Sequence, residues 1–264
     1  MSVGNLNVAL FPMEIKWEDK EHNLKFLEDA LHNLHPDTDL LILPETFSTG
    51  FITGDKELVR GFAERNTMST IDRIKLLAAK YNIAIAGSFI ADTGGSIYNR
   101  AFFIEPSGEE TFADKKHLFT MVGEHNVFSP GNSRLAVRYR GWNIAMVICY
   151  DIRFPVWCRN RDNEYDLLIA VANWPVVRVD AWNKLLIARA IENESYVCGV
   201  DCKGIDKAGF EYDGSSSVID FKGKYIEVKQ ENSPFLYGSL SMEKLEKFRS
   251  KFPAWKDADN FSLL

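Results

Sequence analysis

The apolar positions of this chain recur with two periods, and the two alternate. Short uncharged runs occur at residues 6–11 (LNVALF), 40–43 (LLIL), 83–90 (IAIAGSFI), 144–148 (IAMVI) and within 166–175 (DLLIAVANWP). These runs are too short for helices and rich in branched aliphatic side chains, which predicts strands of the fully buried, parallel-sheet kind. Residues 17–34 carry Leu24, Leu27, Leu31 and Leu34 at spacings of three and four, with acids near the start and Pro36 beyond the end. That pattern predicts an amphipathic helix. A second is predicted over 67–81, with Ile71, Ile74, Leu77 and Ala78 on one face. Residues 99–104 and 109–115 predict a hairpin across PSGE, with Gly108 in the turn. Residues 214–228 predict another across FKGK, followed by a strand at 235–240 and a short helix at 242–250.

Two stretches repeat. DLLI opens both 39–45 and 166–175, and residues 183–200 pass from helix to strand as residues 74–87 do. Two similar β-α-β halves with no linker between them predict an α/β fold, one domain over 1–264 with internal pseudo-symmetry. The tail over 250–264 carries Phe252, Trp255 and Phe261, which predicts that it packs on the domain or on a second subunit.

Composition narrows the class. The chain has 264 residues, 46% hydrophobic and 26% charged, as in soluble globular proteins. The net charge of -6 argues against nucleic acid and anionic membranes as partners. No run is long enough to span a bilayer, and nothing resembles a signal peptide, so a cytoplasmic protein with reduced thiols is expected. Of the four cysteines, Cys198 and Cys202 lack a second half-site for zinc and read as small buried residues on one side of a strand.

The candidate chemistry gathers at strand ends. Cys149 directly follows the run at 144–148, and Pro155 permits a helix to open over 152–160. A thiol at a strand-to-helix turn stands clear of the sheet, the turn's N–H groups can face an oxyanion, and a helix N-terminus lowers a thiol's pKa. Glu45 stands just beyond the run at 40–43, where open α/β sheets place their sites. The loop over 114–131 offers Lys115 or Lys116, His117, Glu124 and His125; neighbours in a strand face opposite sides, so only one lysine can enter a pocket.

Taken together, PETFSTGF (44–51), DKKHLF (114–119), CYDIRFP (149–155), ANWP (172–175) and ARAIEN (188–193) resemble the nitrilase superfamily of carbon–nitrogen hydrolases. PETFSTGF, NWP and the DAD-x-F ending look most like its bacterial omega-amidase branch. The resemblance implies a four-layer α-β-β-α sandwich and a homodimer or larger homo-oligomer. It selects Lys115 over Lys116 and implies that Glu45, Lys115, Glu124 and Cys149 are catalytic. Glu45 would shuttle the proton of Cys149, and Lys115 with the Tyr150 backbone N–H would hold the oxyanion. Glu124 would orient Lys115 or the attacking water. No metal or organic cofactor is called for. The implied reaction is deamidation of 2-oxoglutaramate or 2-oxosuccinamate through a cysteine thioester. The same residues would equally serve another aliphatic amide, an N-carbamoyl amino acid or a nitrile. Phe47, Met121, Phe128 and Trp174 are the expected pocket walls, and Arg178, Arg153 or Lys116 the cation for a substrate carboxylate, with Arg153 favoured as an ion-pair partner at the elbow. A Cys–His hydrolase using His117 or His125, and a non-catalytic binding protein, are the rival readings.

Overall fold

A computed structural model describes residues 4–64, 69–229, 233–259 and 261. The strands are β1 (Leu6–Leu10), β2 (Leu40–Ile42), β3 (Ala84–Asp92), β4 (Ile97–Ile104), β5 (Glu110–Asp114), β6 (Leu135–Tyr139) and β7 (Trp142–Ile148). They continue with β8 (Leu167–Ala172), β9 (Tyr196–Asp201), β10 (Lys203–Ile205), β11 (Glu211–Asp213), β12 (Ser217–Ile219), β13 (Val228–Lys229) and β14 (Leu236–Leu240). The helices are α1 (Lys20–Ala30), α2 (Lys56–Phe62), α3 (Ser69–Tyr81), α4 (Glu124–Val127), α5 (Pro155–Cys158), α6 (Val179–Glu192) and α7 (Met242–Lys251).

Two sheets form, in the orders β13-β14-β1-β2-β3-β4-β5 and β12-β9-β8-β7-β6, with β10-β11 as a separate ribbon. β1, β2 and β3 run parallel, as do β7, β8 and β9, and antiparallel strands flank each trio. The predicted repeat is therefore visible as one parallel core in each sheet. Side-chain alternation explains the layering. Val8, Leu10, Leu40, Ile42, Ala84 and Ala86 face Ile144, Met146, Ile148, Leu167, Ile169 and Val171 across a dry seam between the sheets. Their neighbours Ala9, Leu41 and Ile85 turn the other way, onto Leu24, Leu27, Ile71, Ile74 and Ala78 of α1 and α3. Likewise Ala145, Val147, Leu168 and Ala170 turn outward onto Trp182, Leu186 and Ala190 of α6. The result is the expected helix–sheet–sheet–helix order.

Several boundaries differ from the expectation. α1 begins at Lys20, not residue 17, because the Asp19 side chain caps it by accepting the His22 N–H at 3.1 Å. Glu18 takes a left-handed φ of 63°, which breaks the chain before the helix. The start of the second predicted helix, at residues 67 and 68, lies outside the described residues. The short helix α2, capped by Asp55, was not evident in the apolar pattern. The hairpin over 214–228 forms only at its tip. Ile226 N–H still donates to the Val218 carbonyl, but β13 then leaves β12 and pairs with β14 in the other sheet. Cys198 and Cys202 do not share a side: β9 ends at Asp201, so Cys198 joins the inter-sheet core while Cys202 turns into the cluster behind β1. No helix among the described residues is long and apolar enough to cross a membrane.

Candidate active site

The C-terminal ends of β2, β5, β7 and β8 bring Glu45, Lys115, Cys149 and Asn173, which lie one to three residues beyond them, together at one cavity. β7 ends at Ile148, and Cys149 opens a 3-10 turn that runs to Arg153 before the single turn of α5. Cys149 has a φ of 46°, a left-handed conformation costing a non-glycine residue on the order of 1–2 kcal/mol. Asp151 holds the turn in place. It accepts the Ile148 N–H at 3.2 Å and the His117 N–H at 2.8 Å, and its Oδ1 lies 2.8 Å from His117 Nδ1. The Cys149 thiol is half-buried, and its Sγ lies 4.0 Å from the Asn173 carbonyl.

Glu45 reaches the same point from the other sheet. It is buried, and Thr46 beside it also has a left-handed φ, 42°, unusual for a β-branched residue. Its Oε1 accepts from Asn99 Nδ2 at 2.8 Å and Lys115 Nζ at 3.1 Å. Its Oε2 accepts the Asn173 N–H at 2.8 Å. Lys115 follows β5 directly. Its N–H donates to the Asn99 carbonyl and its own carbonyl accepts the Gly131 N–H, fixing the backbone on both sides. A Cβ on Gly131 would stand 2.0 Å from the Asp114 carbonyl oxygen, so only glycine permits this approach. Lys115 Nζ also lies 2.9 and 3.1 Å from the two carboxylate oxygens of Glu124, the first residue of α4.

An ammonium, two carboxylates and a thiol therefore share one buried point. Burial pushes the Lys115 amine down, but the charges of Glu124 and Glu45 outweigh it and hold the amine well above its ordinary range. Burial raises Glu124, only partly offset by Lys115. Burial, then the charge of Glu45, raises the Cys149 thiol well above its ordinary range, although Lys115 opposes them. This overturns the expectation of a helix-activated thiolate: a 3-10 turn and a single helical turn supply little dipole, whereas the carboxylate is adjacent. The resting group is a thiol that needs a base. Thiolate ultraviolet absorbance, taken as wild type minus Cys149→Ala, should stay absent through the pH range where free cysteine ionises. Glu45→Gln should bring it down toward that range, because a negative charge is removed. A thiolate signal at neutral pH in the wild type would contradict this electrostatic picture.

These groups open onto a cavity of about 440 Å³. Glu45, Lys115, Cys149, Tyr150, Trp174 and Arg178 line it, as expected, and Glu124 sits behind Lys115. Three expected walls are elsewhere. Phe47 packs on Phe102 in the core behind the first sheet, ring centres 5.9 Å apart. Phe128 is buried with Ile52, Val59 and Ile97 under α2. Met121 is 84% exposed, because the 3-10 turn over Thr120–Val122 points it outward and brings Val122 to the cavity instead. The walls that replace them include Trp17, Phe51, Phe119 and Phe210. Of the candidate cations, Arg153 and Arg178 line the cavity, while Lys116 lies outside it with Nζ 5.9 Å from the Trp157 ring centre. Arg153 is not the expected ion-pair partner: among the described residues it pairs with no carboxylate, and its guanidinium sits 4.7 Å above the Trp174 ring. His117 stacks on Phe154 at 3.7 Å, facing Asp151 and away from the cavity, and His125 is exposed. Among the described residues no group of three or more His, Cys, Asp or Glu side chains is placed to hold a metal.

Two residues of the site were not singled out from the sequence. Asn99 shares the inward face of β4 with Ala101 and Phe103 by simple alternation, so a buried polar residue was readable there. Asn173 lies inside the ANWP segment, but nothing in the local pattern says that its donors turn to Glu45.

The sequence profile of the carbon-nitrogen hydrolase family matches residues 7–250. The omega-amidase YafV of Escherichia coli strain B / BL21-DE3 is 40% identical over 262 residues, covering 98% of both chains. A 2-oxoglutaramate amidase of Bacillus subtilis strain 168 is 28% identical over 253 residues, covering 95% of this chain and 96% of its own. The crystal structure of a CN-hydrolase superfamily protein from Xanthomonas campestris, with an arsenic adduct in its active site, superposes with a TM-score of 0.92. It shares 37% identity and covers 98% of this chain and 99% of its own.

Proposed function

We propose, for a chain that belongs to the carbon–nitrogen hydrolase family and is an amidase, that the substrate is the terminal amide of a small 2-oxo acid, 2-oxoglutaramate or 2-oxosuccinamate, and that Glu45, Lys115, Glu124 and Cys149 hydrolyse it through a thioester. The observation that carries the chemistry is the convergence of Glu45, Lys115 and Glu124 within hydrogen-bond distance beside the Cys149 thiol. Glu45 takes the thiol proton as sulfur attacks the amide carbon. One Lys115 proton goes to Glu45 and one is shared by the oxygens of Glu124, which leaves the third, with the Tyr150 N–H, for the oxyanion. When the C–N bond breaks, nitrogen takes the proton from Glu45 and leaves as ammonia. Water then attacks the thioester, passing its proton to Glu45. The C–S bond breaks, the acid departs, and sulfur recovers a proton.

The guanidiniums of Arg153 and Arg178, which pair with no carboxylate among the described residues, support a carboxylate at the far end of the substrate. The single-domain organisation, work in the cytoplasm and assembly into a homodimer or larger homo-oligomer belong to the same reading. Exposed Val156, Val177 and Ile191 around α5 and α6 support assembly. The tail bends back toward the domain where described: Arg161 lies 5.9 Å from the Phe261 ring centre, while residues 260 and 262–264 lie outside the described residues.

The test is ammonia release from 2-oxoglutaramate beside glutamine, an N-carbamoyl amino acid and a simple nitrile. Turnover of the oxo-amide in preference to the rest is expected. Arg153→Met and Arg178→Met should each raise KM by about tenfold or more, the worth of a charge-assisted hydrogen bond, with a smaller change in kcat. Turnover of another panel member alone would keep the chemistry and discard this substrate.

A further inference from the structure

The orientation of the Asn173 carboxamide is decided by what surrounds it. Its Nδ2 lies 2.7 Å from the Glu45 carbonyl, 3.2 Å from Thr46 Oγ1 and 3.4 Å from Glu45 Oε2. Its Oδ1 lies 2.9 Å from Cys202 Sγ. Turned over, the carboxamide would press its oxygen against the Glu45 carbonyl and carboxylate, neither of which carries a proton to give. The NH₂ must therefore face Glu45 and the carbonyl must face Cys202, where the thiol S–H donates.

Cys202 is fully buried just past the end of β9. Asp201 Oδ1 fixes its backbone beside the segment it serves, accepting the Cys202 N–H at 2.9 Å and the Trp174 N–H at 2.8 Å. Burial, then the charges of Asp201, Glu45 and Cys149, pushes the Cys202 thiol well up, which keeps the proton it donates. We infer that Cys202 is a positioning residue for the hydrolysis: its S–H locks the Asn173 carboxamide, whose Nδ2 holds the Glu45 backbone carbonyl at 2.7 Å while the Asn173 N–H holds the carboxylate at 2.8 Å, so that Asn173 seats Glu45 toward Cys149. This rests on the reading of Glu45 as the base.

Carboxamidomethylation of Cys149 by iodoacetamide, followed by peptide mass spectrometry, reports thiol activation without reference to any substrate. Set beside kcat and KM for 2-oxoglutaramate, it separates this role from the substrate assignment. Cys202→Ala and Cys202→Val remove the donor in two sizes, and Cys202→Ser keeps one. Both donor-free variants should slow kcat by about five- to tenfold, the worth of one neutral hydrogen bond, with KM changed by less than about twofold, and should quicken alkylation, because a carboxylate that drifts from the thiol no longer holds it up. Cys202→Ser should recover most of the rate. Glu45→Gln is the reference: its kcat should be slower still and its alkylation quicker still, since the charge that raises the thiol is gone. Donor-free variants with the kcat and alkylation rate of the wild type, beside a Glu45→Gln low in kcat, would sink the role of Cys202 and leave the base standing. Glu45→Gln with the kcat of the wild type would remove both. Cys202→Ser as slow as Cys202→Ala, with a shared fall in unfolding temperature, would make the effect one of packing and overturn the proposal.

Discussion

Cys149→Ala is expected to end hydrolysis while leaving the substrate bound. Loss of a covalent nucleophile costs on the order of 10⁵-fold or more in kcat when the remaining groups act only through it. In the proposed mechanism Glu45 and Lys115 act only through that sulfur and its products. Glu45 is anchored by Asn99, Lys115 and Asn173, and the proposed mechanism has it exchange its proton with the thiol. Lys115 bonds to two carboxylates, and the proposed mechanism keeps its third proton for an oxyanion that cannot form without attack. The proposed binding groups are different, the aromatic walls and the two arginines, so Kd should hold within about twofold. Acid quench and intact-protein mass spectrometry should reveal an acyl adduct on the wild type that the variant lacks. His125→Ala should turn over normally, since that side chain is exposed and outside the cavity. Turnover by Cys149→Ala within about tenfold of the wild type would remove Cys149 from the chemistry.

What could be read in advance followed the physics of each signal. Strands such as IAMVI and LLIL announce themselves because both faces are buried, and the residues just beyond them fall at the sheet ends where sites form. Cys149 and Glu45 were thus locatable one residue at a time. The choice between Lys115 and Lys116 needed the family pattern, because alternation says only that one turns inward. The cavity walls were not legible. Phe47 and Phe128 are as aromatic as Phe51 and Phe119, and tertiary packing decided which pair met the core. The apolar pattern starts the first helix at Trp17, yet the Asp19 cap leaves Trp17 outside α1, where it reaches the cavity. The elbow's electrostatics were misjudged for a related reason. The strand-to-helix turn was legible, whereas the distance from the thiol to a carboxylate of the opposite sheet depends on how the two sheets face each other.

Lys115→Met is expected to damage activity and stability together, with opposite responses to a second change. Removing one oxyanion donor costs about 10²–10³-fold in kcat. Removing the cation also strands Glu45 and Glu124 as a buried like-charged pair, which should cost about 3–5 kcal/mol at neutral pH. The pH dependence follows from the protons. In the wild type the Lys115 amine is raised above its ordinary value of 10.5, so its contribution is complete below that pH and fades only as pH rises through the folded value. In the variant, Glu124, already raised by burial above its ordinary value of 4.5, loses the charge that restrained it and rises further. The folded variant then holds a proton that the unfolded chain has released, so its stability falls as pH climbs from the carboxylate range toward neutrality. The deficit against the wild type should be largest near neutral pH and narrow in mild acid. Adding Glu124→Gln to Lys115→Met removes one stranded charge and should restore much of the stability but none of the activity. Urea unfolding of the wild type, the single and the double variant across that range reads all three statements. A double variant no more stable than the single one would show that the buried charges are not what Lys115 holds in check.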